Sequence, residues 1–156
     1  TVHACAGSDA LKAAQAGAVE GAQSTGQRVP TLLAVTVLTS LDKADMLDLG
    51  FDCDIPELVC SRARRAIASG CAGVVASGQE AQMLRKTLGP NGVIVTPGIR
   101  SGAHDDDQKR AVTPRRALMD GSDYLVVGRP IRDAQSPRDA AVQIQSEIQS
   151  TLTELL

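Results

Sequence analysis

Val93-Ile-Val-Thr-Pro-Gly-Ile-Arg100 is a short apolar run that stops at Pro-Gly and then delivers an arginine, and Asp123-Tyr-Leu-Val-Val-Gly-Arg-Pro130 repeats the device. Both runs have strand length and aliphatic content. Their endings put backbone amides and a guanidinium just past a strand end, where a phosphate or another anion fits. Working outward, similar runs stand at Thr31-Leu-Leu-Ala-Val-Thr-Val37 and Gly73-Val-Val-Ala76. None alternates strictly, so these strands are expected to be buried on both faces. Thr1-Val-His-Ala4 reads as the end of a further strand, so the chain is expected to begin in mid-element.

Helical patterns separate the runs. Ala10 to Ala22 is alanine-rich with Ser8 as the expected N-cap, and Pro56 to Ala68 carries Leu58, Val59, Ala63 and Ile67 at helical spacing. Gln79 to Leu88 stops at Gly89-Pro90, a helix terminator. Thr113-Pro114 and Ser136-Pro137 each pair a capping residue with proline at the first helical position, opening Arg115 to Met119 and Arg138 to Leu152. The βαβαβαβα rhythm predicts an α/β fold with a parallel sheet. Periodicity leaves two forms open, an open sheet and a barrel.

The 156 residues suit a single domain, 1–156, and are too few for a complete eight-fold βα barrel of about 250 residues. A net charge of -2 gives no electrostatic reason to expect nucleic acid or an anionic membrane surface as partner. Aromatic stacking platforms for single strands are also missing, with Phe51 and Tyr124 the sole aromatics. No apolar stretch reaches the roughly 18 residues of a membrane helix, and no signal peptide is visible. Cys5, Cys53, Cys60 and Cys71 form no Cys-x-x-Cys pair and read as free thiols of a reducing, cytoplasmic compartment. With only His3 and His104 to complete a set, no metal site is expected.

In a parallel α/β fold ligands meet the carboxyl ends of the strands. The residues there are His3, Thr39, Ser40, Ser77, Pro97 to Arg100, and Gly128 to Pro130. Gly128 permits close backbone approach and the fork of Arg129 matches two phosphate oxygens; the plainer alternative is an arginine closing a surface ion pair. His3 either touches ligand or, more plainly, holds neighbouring backbone. Ser101 to Asp107 reads as a polar lid in which His104 is exposed and Asp105-Asp-Asp107 is solvated. Thr39 and Ser40 have no histidine or carboxylate partner in sequence, which leaves nucleophilic catalysis unsupported.

Four blocks in order, Ala34-Val-Thr-Val-Leu-Thr-Ser40, Val95-Thr-Pro-Gly-Ile-Arg100, Asp107-Gln-Lys-Arg-Ala-Val-Thr-Pro114 and Asp123 to Pro130, resemble bacterial-type orotidine 5′-monophosphate decarboxylases. The resemblance implies a partial TIM (βα)8 barrel of about five βα units, corresponding to barrel strands four to eight, with the amino-terminal strands absent from this chain. It also implies a cofactor-free decarboxylation of orotidine monophosphate to uridine monophosphate, in which a lysine protonates the pyrimidine carbon as carbon dioxide leaves. By the same resemblance Arg129, Gln108 and the Gly128 amide grip the substrate phosphate, with Arg100 near it at the lid base. Thr39 meets the pyrimidine edge and Pro97 lines the pocket. The loop between Arg100 and Gln108 is one residue shorter than the family pattern.

The larger departure is catalytic. The family's Asp-x-Lys-x-x-Asp motif does not occur in these residues, so no catalytic residue is assigned. Asp54-Ile-Pro56 echoes the motif's end, yet Leu49 and Phe51 stand where aspartate and lysine are required, and the echo is read as chance. An isolated five-strand sheet would expose two edges and half a barrel interior, which predicts a homodimer or a complementing amino-terminal chain. A non-catalytic phosphate-binding half-barrel that self-associates is the alternative, and a related sugar-phosphate lyase or epimerase a weaker third.

Overall fold

Five short parallel strands, β1 (Val2–His3), β2 (Leu33–Val35), β3 (Gly73–Val75), β4 (Val93–Thr96) and β5 (Tyr124–Leu125), lie side by side in sequence order. The computed structural model describes residues 1–100 and 110–155. Helices α1 (Ser8–Thr25), α2 (Lys43–Asp48) and α3 (Ile55–Ala68), α4 (Ala81–Leu88) and α5 (Pro114–Met119) make the successive crossovers, and α6 (Arg129–Arg132) and α7 (Pro137–Leu155) follow β5. The order has no reversal. An open doubly wound sheet needs one, because its helices are shared between two faces. Unswitched right-handed crossovers put every helix on one side, which is the geometry of a barrel segment.

Register fixes which residues face the helices. Ala34, Val74 and Ile94 align across β2, β3 and β4 and are fully buried, packed with Leu11, Val59, Ala63 and Leu84. Their neighbours Val35, Val75 and Val95 align on the other face and are only half-buried, and Tyr124, paired with Val95, is 63% exposed. The expectation of strands buried on both faces is therefore corrected. The non-alternating apolar runs belong to a sheet whose second face is a barrel interior, and among the described residues that face is only half-buried. No described helix is long and apolar enough to cross a membrane.

Local chemistry accounts for the helix boundaries. The Thr113 hydroxyl accepts from the Arg116 amide ahead of Pro114, as its sequence signature predicted. Asp54 caps α3 by accepting from the Glu57 amide, which gives Asp54-Ile-Pro56 a structural role. Ser8 is inside α1 instead of capping it, because Gly7 at φ 89° makes the entry turn. Left-handed Gly26 closes that helix past the predicted Ala22. Two short helices were not anticipated. In α2, Asp42 and Asp45 form a reciprocal capping box that makes six residues helical, and α6 begins directly at Arg129.

The amino ends of the strands are tied by one side chain. Arg85 of α4 donates to the carbonyls of Gly89, Pro90 and Gly92 ahead of β4 and to that of Gly121 ahead of β5. It also pairs with Asp123 at 2.6 Å, and the same Asp123 oxygen accepts from the Ile94 amide at 2.7 Å. Gly73 lies so close to β4 that a Cβ there would overlap the Val93 carbonyl. Gly73→Ala should therefore push β3 from β4 and cost about 3 kcal/mol in urea-unfolding measurements, an overpacking cost borne by backbone instead of a side chain.

Candidate functional site

The carboxyl ends of the strands carry the polar groups. The β2 end is organised by two guanidiniums. Thr36 leaves the ladder with its amide and hydroxyl both donating to the Val75 carbonyl, and its own carbonyl accepts from Arg62 Nη1 at 2.8 Å. Arg62 is 9% exposed and stacks over Phe51, with 5.2 Å to the ring centroid. The next two carbonyls, of Val37 and Leu38, accept from Arg110 Nη2 at 3.5 and 3.3 Å. A turn then closes from Leu38 to Leu41, with half-buried Thr39 in it. Three consecutive carbonyls are thus fixed from outside the strand, and the backbone that carries Thr39 is held.

Arg110 extends the tie to the next two strand ends. Its Nη1 meets Glu80 Oε1 at 2.5 Å, and the two side chains are only 8% and 4% exposed. Its carbonyl accepts from the buried Ser77 hydroxyl at 3.0 Å. Two residues on, Val112 bridges to Ile99, its amide donating to the Gly98 carbonyl and its carbonyl accepting from the Arg100 amide. Gly78 makes this possible, since a Cβ there would overlap the Val112 side chain. Burial pushes the Glu80 carboxyl above its ordinary range, against the opposing pull of the Arg110 charge and hydrogen bond.

The predicted site residues fall on neighbouring strand ends. Pro97 and Arg100 follow β4, both half-buried, with Arg100 Nη1 donating to the Ile99 carbonyl at 2.7 Å. Gly128 and Arg129 follow β5, and Thr96 aligns with Leu125, so the two segments leave adjacent strand ends. Gly128 is exposed and its carbonyl receives the amides of Ile131 and Arg132, while half-buried Arg129 opens α6. Thr39 lies three strands from β5, about 14 Å away at normal strand spacing. Gln108, His104 and the acidic run lie outside the described residues. His3 is exposed and no side-chain hydrogen bond to it occurs among the described residues, which corrects the backbone-holding role expected of it.

Sequence reasoning missed Glu80, Arg110 and Arg62. One signal was available: Ser77-Gly-Gln-Glu80 has the spacing of a capping box. In the fold, Ser77 Oγ accepts from the Gln79 amide instead, and Glu80 turns to Arg110. Among the described residues no cluster of three or more His, Cys, Asp or Glu side chains is placed to hold a metal ion.

With that geometry in hand, the relatives are informative. A family profile described as orotidine 5′-phosphate decarboxylase / HUMPS family matches residues 1–144. The chain belongs to that family. It is 57% identical over 119 residues to the orotidine 5′-phosphate decarboxylase of Methylococcus capsulatus, covering 75% of this chain and 49% of that protein. To the enzyme of the same name from Xanthomonas campestris it is 47% identical over 140 residues, covering 89% and 58%. The crystal structure of orotidine 5′-phosphate decarboxylase from Lactobacillus acidophilus superposes with a TM-score of 0.78 at 37% identity, covering 95% of this chain and 63% of that one. The chain thus spans about half to three fifths of the length of these orotidine 5′-phosphate decarboxylases, and its five βα units are a partial TIM barrel.

The raised Glu80 carboxyl has a pH signature. It takes up a proton more readily folded than unfolded, so ionisation works against the fold: its contribution is complete below the ordinary value of 4.5 and is lost as pH climbs through the higher folded value. Unfolding midpoints of wild type and Glu80→Gln compared from about pH 4 to about pH 8 should show wild type losing ground to the variant as pH rises.

Proposed function

We propose that this chain is the phosphate- and pyrimidine-binding half of an orotidine 5′-monophosphate decarboxylase, a carbon-carbon lyase of pyrimidine biosynthesis that yields uridine monophosphate. The observation that carries the reading is that Pro97 to Arg100 and Gly128-Arg129 follow the carboxyl ends of two adjacent, paired strands, β4 and β5, in a chain of this family. Arg129 and the Gly128 amide, with Gln108, take the phosphate, and Arg100 stands beside them. Thr39 presents its hydroxyl to the pyrimidine edge from the turn after β2, and Pro97 lines the space between.

This division of labour suits the reaction. Contacts to a phosphate remote from the reacting carbon supply binding energy that favours the transition state when they are coupled to closure around the substrate. The charged cluster that favours the carbanion-like transition state, and the lysine that protonates it, belong to the Asp-x-Lys-x-x-Asp motif, which these residues do not contain. No cofactor enters the scheme. The chain by itself is therefore a binder without a proton donor. Its half-open inner face, with Tyr124 63% and Val126 50% exposed, supports assembly with a second copy or with amino-terminal barrel strands from another polypeptide. The four free cysteines fit a cytoplasmic setting.

The exposed inner face at Tyr124 and Val126 also favours a second reading, a phosphate-binding half-barrel with no catalytic duty that pairs with itself. A decarboxylation assay with orotidine monophosphate separates them: activity that appears only when amino-terminal barrel strands are added supports the first. Robust turnover by this chain alone would overturn the assignment of the proton donor. Arg129→Ala should weaken uridine monophosphate by about 2 to 4 kcal/mol and uridine hardly at all, as read by calorimetric titration. Equal loss for both ligands would remove Arg129 from the phosphate.

A further inference from the structure

We infer that Glu80 and Arg110 are a positioning pair that holds the base-reading turn at Thr39 in fixed relation to the phosphate-reading segment after β4. The inference rests on the proposed function for the identity of the ligand and on geometry for the rest. The Arg110 side chain grips the backbone immediately before Thr39 while its own backbone is pinned, through Val112, to Gly98 and Arg100. Glu80 fixes the guanidinium from the β3 end, between the two. This side chain therefore links the two loops directly, beyond the strand ladder that joins β2 to β4.

Stability alone is a poor reason for such an arrangement. Burying two charges costs more than their attraction repays unless every remaining polar atom is bonded. Here Glu80 Oε2 and Arg110 Nε are buried without hydrogen-bond partners among the described residues. The sheet is already tied at its amino ends by Arg85, the end of a βα barrel where stabilising contacts belong. The Glu80–Arg110 pair sits at the opposite end, among the loops that carry Thr39, Pro97 and Arg100. Lysine cannot replace the planar fork, since a point charge cannot reach Glu80 and two carbonyls in fixed directions at once.

The test measures affinity for uridine 5′-monophosphate and for ribose 5-phosphate, which lacks the base, in the full chain and its variants, with amide hydrogen exchange on the same samples. Arg110→Lys should lower affinity for the nucleotide about tenfold and for the sugar phosphate less than about twofold. It should also speed exchange at amides 38–41 about tenfold. Glu80→Gln keeps an acceptor opposite Arg110 and should retain nucleotide affinity within about threefold of wild type. Equal loss of both probes in Arg110→Lys, or unchanged nucleotide affinity, overturns the inference. If wild type binds neither probe, the proposed function fails, and exchange alone decides the pairing: faster exchange at 38–41 in Arg110→Lys supports it and unchanged exchange overturns it. Should Arg110→Lys not fold, the double variant Glu80→Leu/Arg110→Met, which removes both buried charges together, takes its place with the same expectations.

Discussion

A guanidinium buried where three strands end governs how the carboxyl-end side of this chain is built. Parallel strands finish with carbonyls pointing onward and nothing in the ladder left to meet them. At the end of β2 three successive carbonyls are in that position, and Arg62 and Arg110 satisfy them from α3 and from the segment after β4. Arg110 also needs a counter-charge to be buried, and Glu80 provides it from the β3 end. The irregular backbone around Thr39, Ser77 and Gly98 is therefore cross-linked by side chains where a sheet can no longer do it.

The opposite end of the sheet is held by other means. Arg85 and Asp123 collect carbonyls and an amide from the turns that lead into β4 and β5, and close contacts at Gly73 and Gly92 leave those turns no room. Stabilising ties and the candidate site thus stand at separate ends of the same five strands, as in βα barrels generally. The division lets the loops at the carboxyl ends carry costly groups such as the Glu80–Arg110 pair, because the register of the strands is secured elsewhere.

Much of this was legible in the sequence, for identifiable reasons. The strands at Gly73-Val-Val and Val93-Ile-Val and the helix opened by Thr113-Pro114 are local signals, and each appears where its residues place it. The four ordered blocks led to the right family, and with it the choice of a barrel segment over an open sheet, which periodicity could not make. What escaped depends on contacts between residues far apart in the chain. Glu80 and Arg110 are separated by 30 positions, and nothing local to either marks it as buried. The two-sided burial expected of the strands failed because an apolar run reports what a strand is built to meet, and among the described residues the inner face of this sheet is only half-covered. Gln108, central to the phosphate reading, lies beyond the described residues, and its role, like those of Thr39 and Arg129, comes from the family resemblance.

Strand order has a kinetic side as well. Because each strand pairs only with its sequence neighbours, every contact in the sheet is closed by a loop of one βα unit, and the entropy of closure stays modest throughout. The shortest of these closures joins β3 to β4, where Gly73 faces Val93. Pairing confined to sequence neighbours allows units to be added one after another, each onto the edge left by the last, in the direction of synthesis. The Leu33–Val35 strand can dock before Tyr124 has been made, so the end of β2 braced by Arg62 can assemble ahead of residues 128 and 129.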